Sequence, residues 1–318
     1  MFVQSLPTAR VGKSSLHVPV IGLGTAPLGT FWSDVPEAQA VDTIHFALEQ
    51  GVTFLDTAPY YSATMVEQRV GLALAGVPRD SYILATKVGR LMPDGQDVMD
   101  FSRDGVLKSI EGSLQRLRVD RIDILHIHDP DSSTYKTALD EAYPLLADLR
   151  RQGVIEAVGV GVNFWELLVD FARDAEFDCF LLAGRYTLLE QGALAALNLF
   201  HEKGISIFGA GVYNSGILAK GASSGAWYQY RPAPPEILDK VGRIEAICTR
   251  HHVPLNAAAI QFVKAHPSVT SLVIGAESSG QLAESIHALQ VSIPVEFWSD
   301  LRAEGLIDSD TPVPLSAV

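Results

Sequence analysis

Eight short apolar runs, each followed by a longer stretch, constrain this chain more than any other feature. They read as strands at Val20–Ala26, Thr53–Ala58, Tyr82–Val88, Ile122–His128, Ala157–Asn163, Cys179–Gly184, Ile205–Gly211 and Ser271–Ala276. Between them, apolar positions recurring every three to four residues predict helices over Ala38–Gln50, Arg103–Leu117, Thr134–Gln152, Phe164–Ala175, Gln191–Lys203 and Glu236–His251. Gly51, Gly153 and Gly204 stand where three of these should stop. A strand followed by helical material, eight times over, predicts an α/β fold of the (β/α)8 TIM-barrel type rather than an open sheet. Gly12–Ser15 suggests an N-terminal hairpin, and Leu255–Ala265 and the tail after Ile293 add helical segments near the C-terminus. Gly221–Pro235, rich in Gly, Ser, Pro and aromatics, reads as a long loop. With no linker in view, residues 1–318 are expected to form one domain.

Composition narrows the function classes. Hydrophobic residues are 47% and charged residues 19% of 318, enough apolar material for a sizeable core. A formal charge of −13 gives no electrostatic footprint for nucleic acid or an anionic membrane. The N-terminal residues lack the apolar core of a secretory signal, and no apolar run reaches the length of a membrane span. Cys179 and Cys248 read as buried thiols of a reducing compartment, which points to the cytoplasm. Nothing here sets an oligomeric state.

A barrel carries its chemistry at the C-terminal ends of its strands. Here those ends are Asp56, Thr86-Lys87, His126-Ile127-His128-Asp129 and Asn163. Period-two alternation puts Ile83, Ala85 and Lys87 on one face, and Ile124, His126 and His128 on another. A lysine in an apolar strand is costly to bury without a counter-charge, and Asp56 on the neighbouring strand can supply one. Tyr61 follows five residues after Asp56. Its phenol ordinarily titrates near 10, and a nearby lysine cation favours the phenolate. With His128 hydrogen-bonding the same oxygen, the group suits proton transfer at an alcohol or carbonyl. No side chain can supply a hydride, so a nicotinamide cofactor is expected. The plainer alternatives stay open at this point: Asp56 or Thr64 capping a helix, Lys87–Asp56 as a structural ion pair, Tyr61 as packing. His126-x-His128-Asp129 also has metal-ligand spacing, but a metal site needs ligands from later strand ends, and the remaining histidines fall in helical segments.

The motifs taken together resemble the aldo-keto reductase superfamily over nearly the whole chain. They are Gly22-Leu23-Gly24-Thr25, Asp56-Thr57-Ala58 with Tyr61, Thr86-Lys87, Asp123 leading to His128, Gly159-Val160-Gly161-Val162-Asn163, and Val273-Ile274-Gly275 with Gln281-Leu282. The resemblance implies Asp56, Tyr61, Lys87 and His128 as catalytic residues, with Tyr61 transferring the proton. It implies cofactor contacts from Gly24, Thr25, Asp56, Asn163, Tyr186, Gly211, Tyr213, Asn214, Ser215, Gly216, Leu218, Ile274, Gly275, Glu277, Gln281, Glu284 and Ser285. Asn214–Leu218 resembles the loop that lies over the pyrophosphate, where small residues and free backbone amides are needed.

The chain also departs from the family pattern. Ala183 stands where a carboxamide-binding glutamine is usual, and Ala210 where an aromatic usually stacks, with Tyr213 as a substitute. Gly275 and Gln281 replace the lysine and arginine that meet a 2′-phosphate, with Glu277 between them. A carboxylate repels a phosphate and accepts hydrogen bonds from a ribose hydroxyl, so the expected cofactor is NAD, with NADP used less well. Within the family, Tyr186–Gln191, Tyr213–Leu218 and His128–Asp131 resemble the branch of aldose 1-dehydrogenases acting on L-fucose-type sugars and their pyridoxal- and L-galactose-oxidising relatives. That branch implies oxidation of a small sugar at its anomeric carbon to an aldono-lactone, with hydride passing to NAD. Trp32, Tyr60, Phe164 and Trp227 are candidate flat walls for the sugar, beside His128. A general aldehyde or ketone reductase of the same family and a cofactor-sensing, non-enzymatic relative are the remaining alternatives.

Overall fold

The computed structural model describes residues 6–223 and 225–314. All eight expected strands form, as β1 (Ile21–Gly24), β2 (Phe54–Asp56), β3 (Ile83–Val88), β4 (Ile124–His128), β5 (Ala157–Val162), β6 (Cys179–Ala183), β7 (Ser206–Ala210) and β8 (Val269–Gly275). They pair in parallel in sequence order and close, β8 on β1, into a barrel. β2 ends at Asp56, earlier than expected, with the Thr57 amide making the last bond to the sheet, at the Ala85 carbonyl, before the chain turns at Pro59. β8 begins two residues earlier than the apolar run suggests, with Val269 bonded opposite Ile207.

Alternation along each strand sorts the core into two. Leu23, Leu55, Leu84, Leu125, Val158, Phe180, Ile207 and Leu272 face the surrounding helices. Phe54, Ala85, Ile124, Ala157, Cys179, Leu181, Phe208 and Val273 fill the barrel itself. The expected N-terminal hairpin, Thr8–Arg10 with His17–Pro19, adds Val11 and Val18 to that interior cluster. It closes the end of the barrel opposite the strand C-termini, where the Gly12 amide donates to Ser206 Oγ at 2.8 Å. With one end stoppered, chemistry is left to the other.

The helices differ from expectation where their sequence is least periodic. Arg103–Leu117 has the expected ends. Thr134–Gln152 is instead Tyr135–Thr137, a π turn at Ala138–Ala142, and Tyr143–Arg151. Pro144 has no N–H to give to Asp140, so the ladder loosens there. Met65–Ala73 escaped notice because Glu67 and Arg69 are buried in it and break the apolar stripe. Ser279–Ala288 buries only Leu282, Ser285 and Ala288, too small a stripe to register. The loop expected at Gly221–Pro235 contains a two-stranded ribbon, Trp227–Tyr228 with Arg231–Pro232. The tail helix, Val295–Ala303, is longer than the one or two turns expected. Among the described residues no helix is long and apolar enough to cross a membrane.

Candidate active site

At the open end, β2, β3 and β4 bring four polar side chains together. Lys87 and Asp56 are both almost fully buried, and Lys87 Nζ donates to Asp56 Oδ1 at 2.6 Å and to the Thr57 carbonyl at 2.9 Å. Asp56 is therefore the counter-ion of Lys87 and not a helix cap. Thr64, at the start of Met65–Ala73, makes no capping bond either. The Lys87 ammonium lies 4.8 Å from the centre of the Tyr61 ring. His128 stands across from Tyr61, the two rings perpendicular with centroids 6.0 Å apart.

Local devices hold this group. Ser62, Ala63 and Thr64 lie consecutively in the left-handed region, at φ 48°, 50° and 75°. Each costs about 1–2 kcal/mol, so the turn that presents Tyr61 is held by its surroundings. Ser62 Oγ accepts the Thr30 amide at 2.8 Å, tying the loop after β2 to the loop after β1. Beneath Lys87, Thr86 points the other way and donates to the buried Glu67 at 2.6 Å, while Arg116 answers the Glu67 charge at 2.6 Å. Gly159 and Gly161 leave the neighbouring strand bare; a Cβ on Gly159 would lie 2.3 Å from His126 Nδ1.

Burial and charge set the protonation states. Burial raises the Asp56 carboxyl, opposed by the Lys87 charge. For Lys87, burial favours the neutral amine, but Asp56 and Tyr61 together outweigh it and hold the ammonium above its ordinary range. Burial pushes Tyr61 up to about 12, with Lys87 pulling it down and Asp56 and Asp129 adding to the rise. The lysine therefore acts in the expected direction, but desolvation exceeds it. Burial, with the charges of Lys87 and Arg90 and the neighbouring His126, holds His128 well below its usual value, so it is a neutral imidazole. His126 is likewise neutral, and neither of its ring nitrogens has a partner among the described residues.

Aromatic side chains wall one side of the opening. Tyr60 lies edge-on to His128 at 6.0 Å, Phe31 is 5.5 Å from Tyr60 and 6.4 Å from Tyr61, and Trp32 packs on Phe31 at 5.7 Å. Tyr230, from the ribbon after β7, stacks on Trp32 at 6.3 Å. The structure thus brings Trp32 and Tyr60 to the site and adds Phe31, Tyr230 and Arg90. Phe164 is 64% exposed and its ring meets Arg185 rather than Tyr61 or His128. Trp227, half exposed, makes no aromatic contact with them among the described residues. Neither ring therefore joins the aromatic group formed by Phe31, Trp32, Tyr60 and Tyr230.

The other side of the rim is built from small residues. Gly24, Ala183-Gly184, Ala210-Gly211 and Gly275 end β1, β6, β7 and β8, and Gly161 lies one residue before the end of β5; these five strands are neighbours in the barrel. A bare rim on five adjacent strands, facing three that carry Asp56, Lys87 and His128, forms a trough free of bulky polar side chains on that side. Thr25 Oγ1 donates to the Asp56 carbonyl at 2.9 Å and Asn163 Nδ2 to the Ala183 carbonyl at 3.2 Å, so both are oriented beside it. Asn214 Nδ2 reaches the Gly184 carbonyl at 3.3 Å, and its buried Oδ1 has no partner among the described residues, an acceptor a bound group can use. Tyr213 OH donates to Ser285 Oγ at 3.1 Å, joining the loop after β7 to helix Ser279–Ala288, where Glu284 lies exposed. At the start of that helix Glu277 accepts from Ser33 Oγ at 2.9 Å, and its amide donates to Gln281 Oε1 at 2.9 Å.

Three expectations for cofactor contacts change. Tyr186 is buried and stacks on Phe262 at 5.5 Å, so its ring packs the wall between barrel and helix. Leu218 and Ile274 also face the outer core, leaving only their backbones for a ligand. The loop amides are mostly spent: those of Asn214, Gly216 and Leu218 donate to Gly211 and Tyr213 carbonyls. Ser215, whose side chain accepts the Tyr230 amide at 3.0 Å, is the one residue of the three from 214 to 216 whose amide finds no acceptor among the described residues.

The chain is similar to known proteins over nearly its whole length. Residues 20–304 fit the model of the aldo/keto reductase family. A pyridoxal 4-dehydrogenase from Microbacterium luteolum is 35% identical, covering 96% of this chain and all of its own length. A D-threo-aldose 1-dehydrogenase from a Pseudomonas species is 35% identical, over 92% of this chain and 96% of its own. A solved aldo-keto reductase from Bacillus halodurans, in its holo form, superposes with a TM-score of 0.82 at 25% identity, over 96% of this chain and 98% of that one.

Proposed function

We infer the reaction from one premise: the chain belongs to the aldo/keto reductase family. We propose that it oxidises a free aldose, of the L-fucose, D-arabinose or L-galactose type, at the anomeric carbon to an aldono-lactone, with NAD preferred over NADP. The observation that carries this reading is the buried Lys87–Asp56 pair set against Tyr61, with neutral His128 across from it. When bound, the nicotinamide supplies the acceptor for the two electrons that leave the carbon. Tyr61 takes the proton of the anomeric hydroxyl. Tyr61 acts as the phenolate, which Lys87 stabilises, and becomes the phenol as it takes that proton; Asp56 holds Lys87, and His128 donates its N–H to the anomeric oxygen. Two free buried thiols, Cys179 and Cys248, suit a reducing compartment such as the cytoplasm.

The test is a rate comparison with NAD and NADP across L-fucose, D-arabinose, L-galactose, L-xylose and pyridoxal. At least one sugar should be oxidised, faster with NAD. The Microbacterium relative favours pyridoxal as a second reading; turnover of pyridoxal alone would replace the sugar and leave the residue roles intact. Because Tyr61 is protonated far above neutrality, its base form grows about tenfold per pH unit below about 12. Oxidation should therefore quicken steadily from pH 7 to 10, and the reverse reduction should not. A flat oxidation profile over that range would remove Tyr61 as the base.

Cofactor choice rests on Glu277. No lysine or arginine occurs between Lys264 and Arg302, and the Glu277 carboxylate is held at the end of the trough by Ser33 and Gln281. Replacing Glu277→Ser and Gln281→Arg together should lower KM for NADP by roughly 10-fold, since a charge-assisted bond replaces a repulsion. An unchanged NADP/NAD ratio would sink this account of the pocket.

A further inference from the structure

Arg90 and Asp129 sit beside the four polar residues, Arg90 in no motif and Asp129 directly after His128 with no role yet assigned to it. Arg90, just past β3, lays its guanidinium 3.4 Å from the centre of the Tyr60 ring. It donates to Asp129 Oδ2 at 2.7 Å and to Asp97 Oδ2 at 2.6 Å. Asp129 follows His128 directly, with its backbone in the left-handed region at φ 46°, and its Oδ2 lies 3.6 Å from His128 Nε2. Asp129 Oδ1 accepts no hydrogen bond from the described residues. Three successive loops, after β2, β3 and β4, thus converge on one ion pair at the edge of the reacting centre.

An ion pair that only braced these loops would add little at such a partly exposed place, and Asp97 already answers the Arg90 charge. The placement has a chemical use instead. A substrate oxygen held between Tyr61 and His128 brings the adjoining carbon of a sugar ring alongside Asp129. A carboxylate is a strong acceptor for a hydroxyl, and a free Oδ1 with a steadied Oδ2 presents one in fixed orientation. Burial raises the Asp129 carboxyl, and the charges of Arg90 and Lys87 oppose that rise without cancelling it. Tyr60 and Phe31 offer the flat apolar surface for the carbon face of the same ring.

We propose that Arg90 and Asp129 determine substrate specificity: Asp129, oriented by Arg90, accepts a hydrogen bond from the ring hydroxyl next to the carbon that is oxidised. The inference rests on the aldose reading and names what selects the sugar. It is tested by kcat/KM for the best aldose with NAD and for reduction of butanal, which has no hydroxyl for Asp129 to read, with NADH. Asp129→Asn should lower the aldose-to-butanal ratio roughly 10- to 100-fold, the span expected for a lost hydrogen bond to a charged group, chiefly through KM for the aldose. NADH fluorescence titration reports whether the variant is folded. If it does not bind NADH, Arg90→Gln decides the matter by the same ratio, expected to fall by less. A ratio within threefold of wild type in the folded variant overturns the inference, because a bracing role would slow both substrates alike. If wild type reduces butanal but oxidises no aldose, the aldose reading falls and takes this inference with it. Wild-type aldose turnover with an unmoved ratio removes only the role of Asp129.

Discussion

Tyr61→Phe should reduce turnover by a factor of 10² to 10⁴, the usual contribution of a positioned proton-transfer group, while NADH affinity stays within about twofold. The substitution removes one hydroxyl and keeps the ring, so the packing that places it survives. Phe31 still meets its edge, His128 still stands perpendicular to it, and the Lys87 ammonium still lies against its face. A phenol replaced by a phenyl ring in that setting changes the folded state little, and a thermal unfolding curve near that of wild type is expected alongside the lost rate. Steady-state oxidation of the best aldose, with a fluorescence titration of NADH, reads both halves. Retention of most of the rate takes the proton-transfer role from Tyr61; loss of both rate and NADH affinity makes it a cofactor-binding residue.

The contrast between what the residues announced and what they hid has a physical basis. Lys87 was legible because a charge in an apolar strand contradicts its surroundings, and period-two alternation then says which way it points. The eight strands were legible for the same reason, since fully buried parallel strands are continuous apolar runs. Glu67 was not: its burial depends on Arg116, forty-nine positions away, and nothing local records that pairing. Arg90, Phe31 and Tyr230 stand in loops, where an exposed-looking residue carries no periodic signal, and only the closed barrel brings the loops after β1, β2, β3 and β7 to one rim. For Tyr186 the family resemblance implies a cofactor contact, whereas the fold sets Phe262 and His266 against its ring. The missing cation in the 265–301 segment, by contrast, is a property of the sequence that no folding can reverse.

Lys87→Met should be the most damaging single change to the fold of the site. Methionine fills the lysine stem but leaves Asp56 buried, with its nearest cation gone and its Oδ2 already without a partner. Breaking a buried pair from one side costs about 3–5 kcal/mol, because the remaining charge is uncompensated. Part of that is relieved if Asp56 takes a proton: burial raises its pKa, and Lys87 is the group that opposes the rise. Activity falls for a separate reason. Lys87 lowers the pKa of Tyr61, so removing it pushes the phenol higher still and leaves less base at any working pH. An oxidation rate on the order of 10³ below wild type is expected, within the range of one general-base contribution. The double variant Asp56→Asn, Lys87→Met separates the two effects. With the stranded carboxylate gone, most of the lost stability should return, whereas activity should not, since the phenolate still lacks its cation. Urea or thermal unfolding of the single and double variants, beside their rates, gives the answer. A single variant as stable as wild type denies that the pair is a buried structural charge. A double variant that regains its rate denies that Tyr61 depends on the lysine.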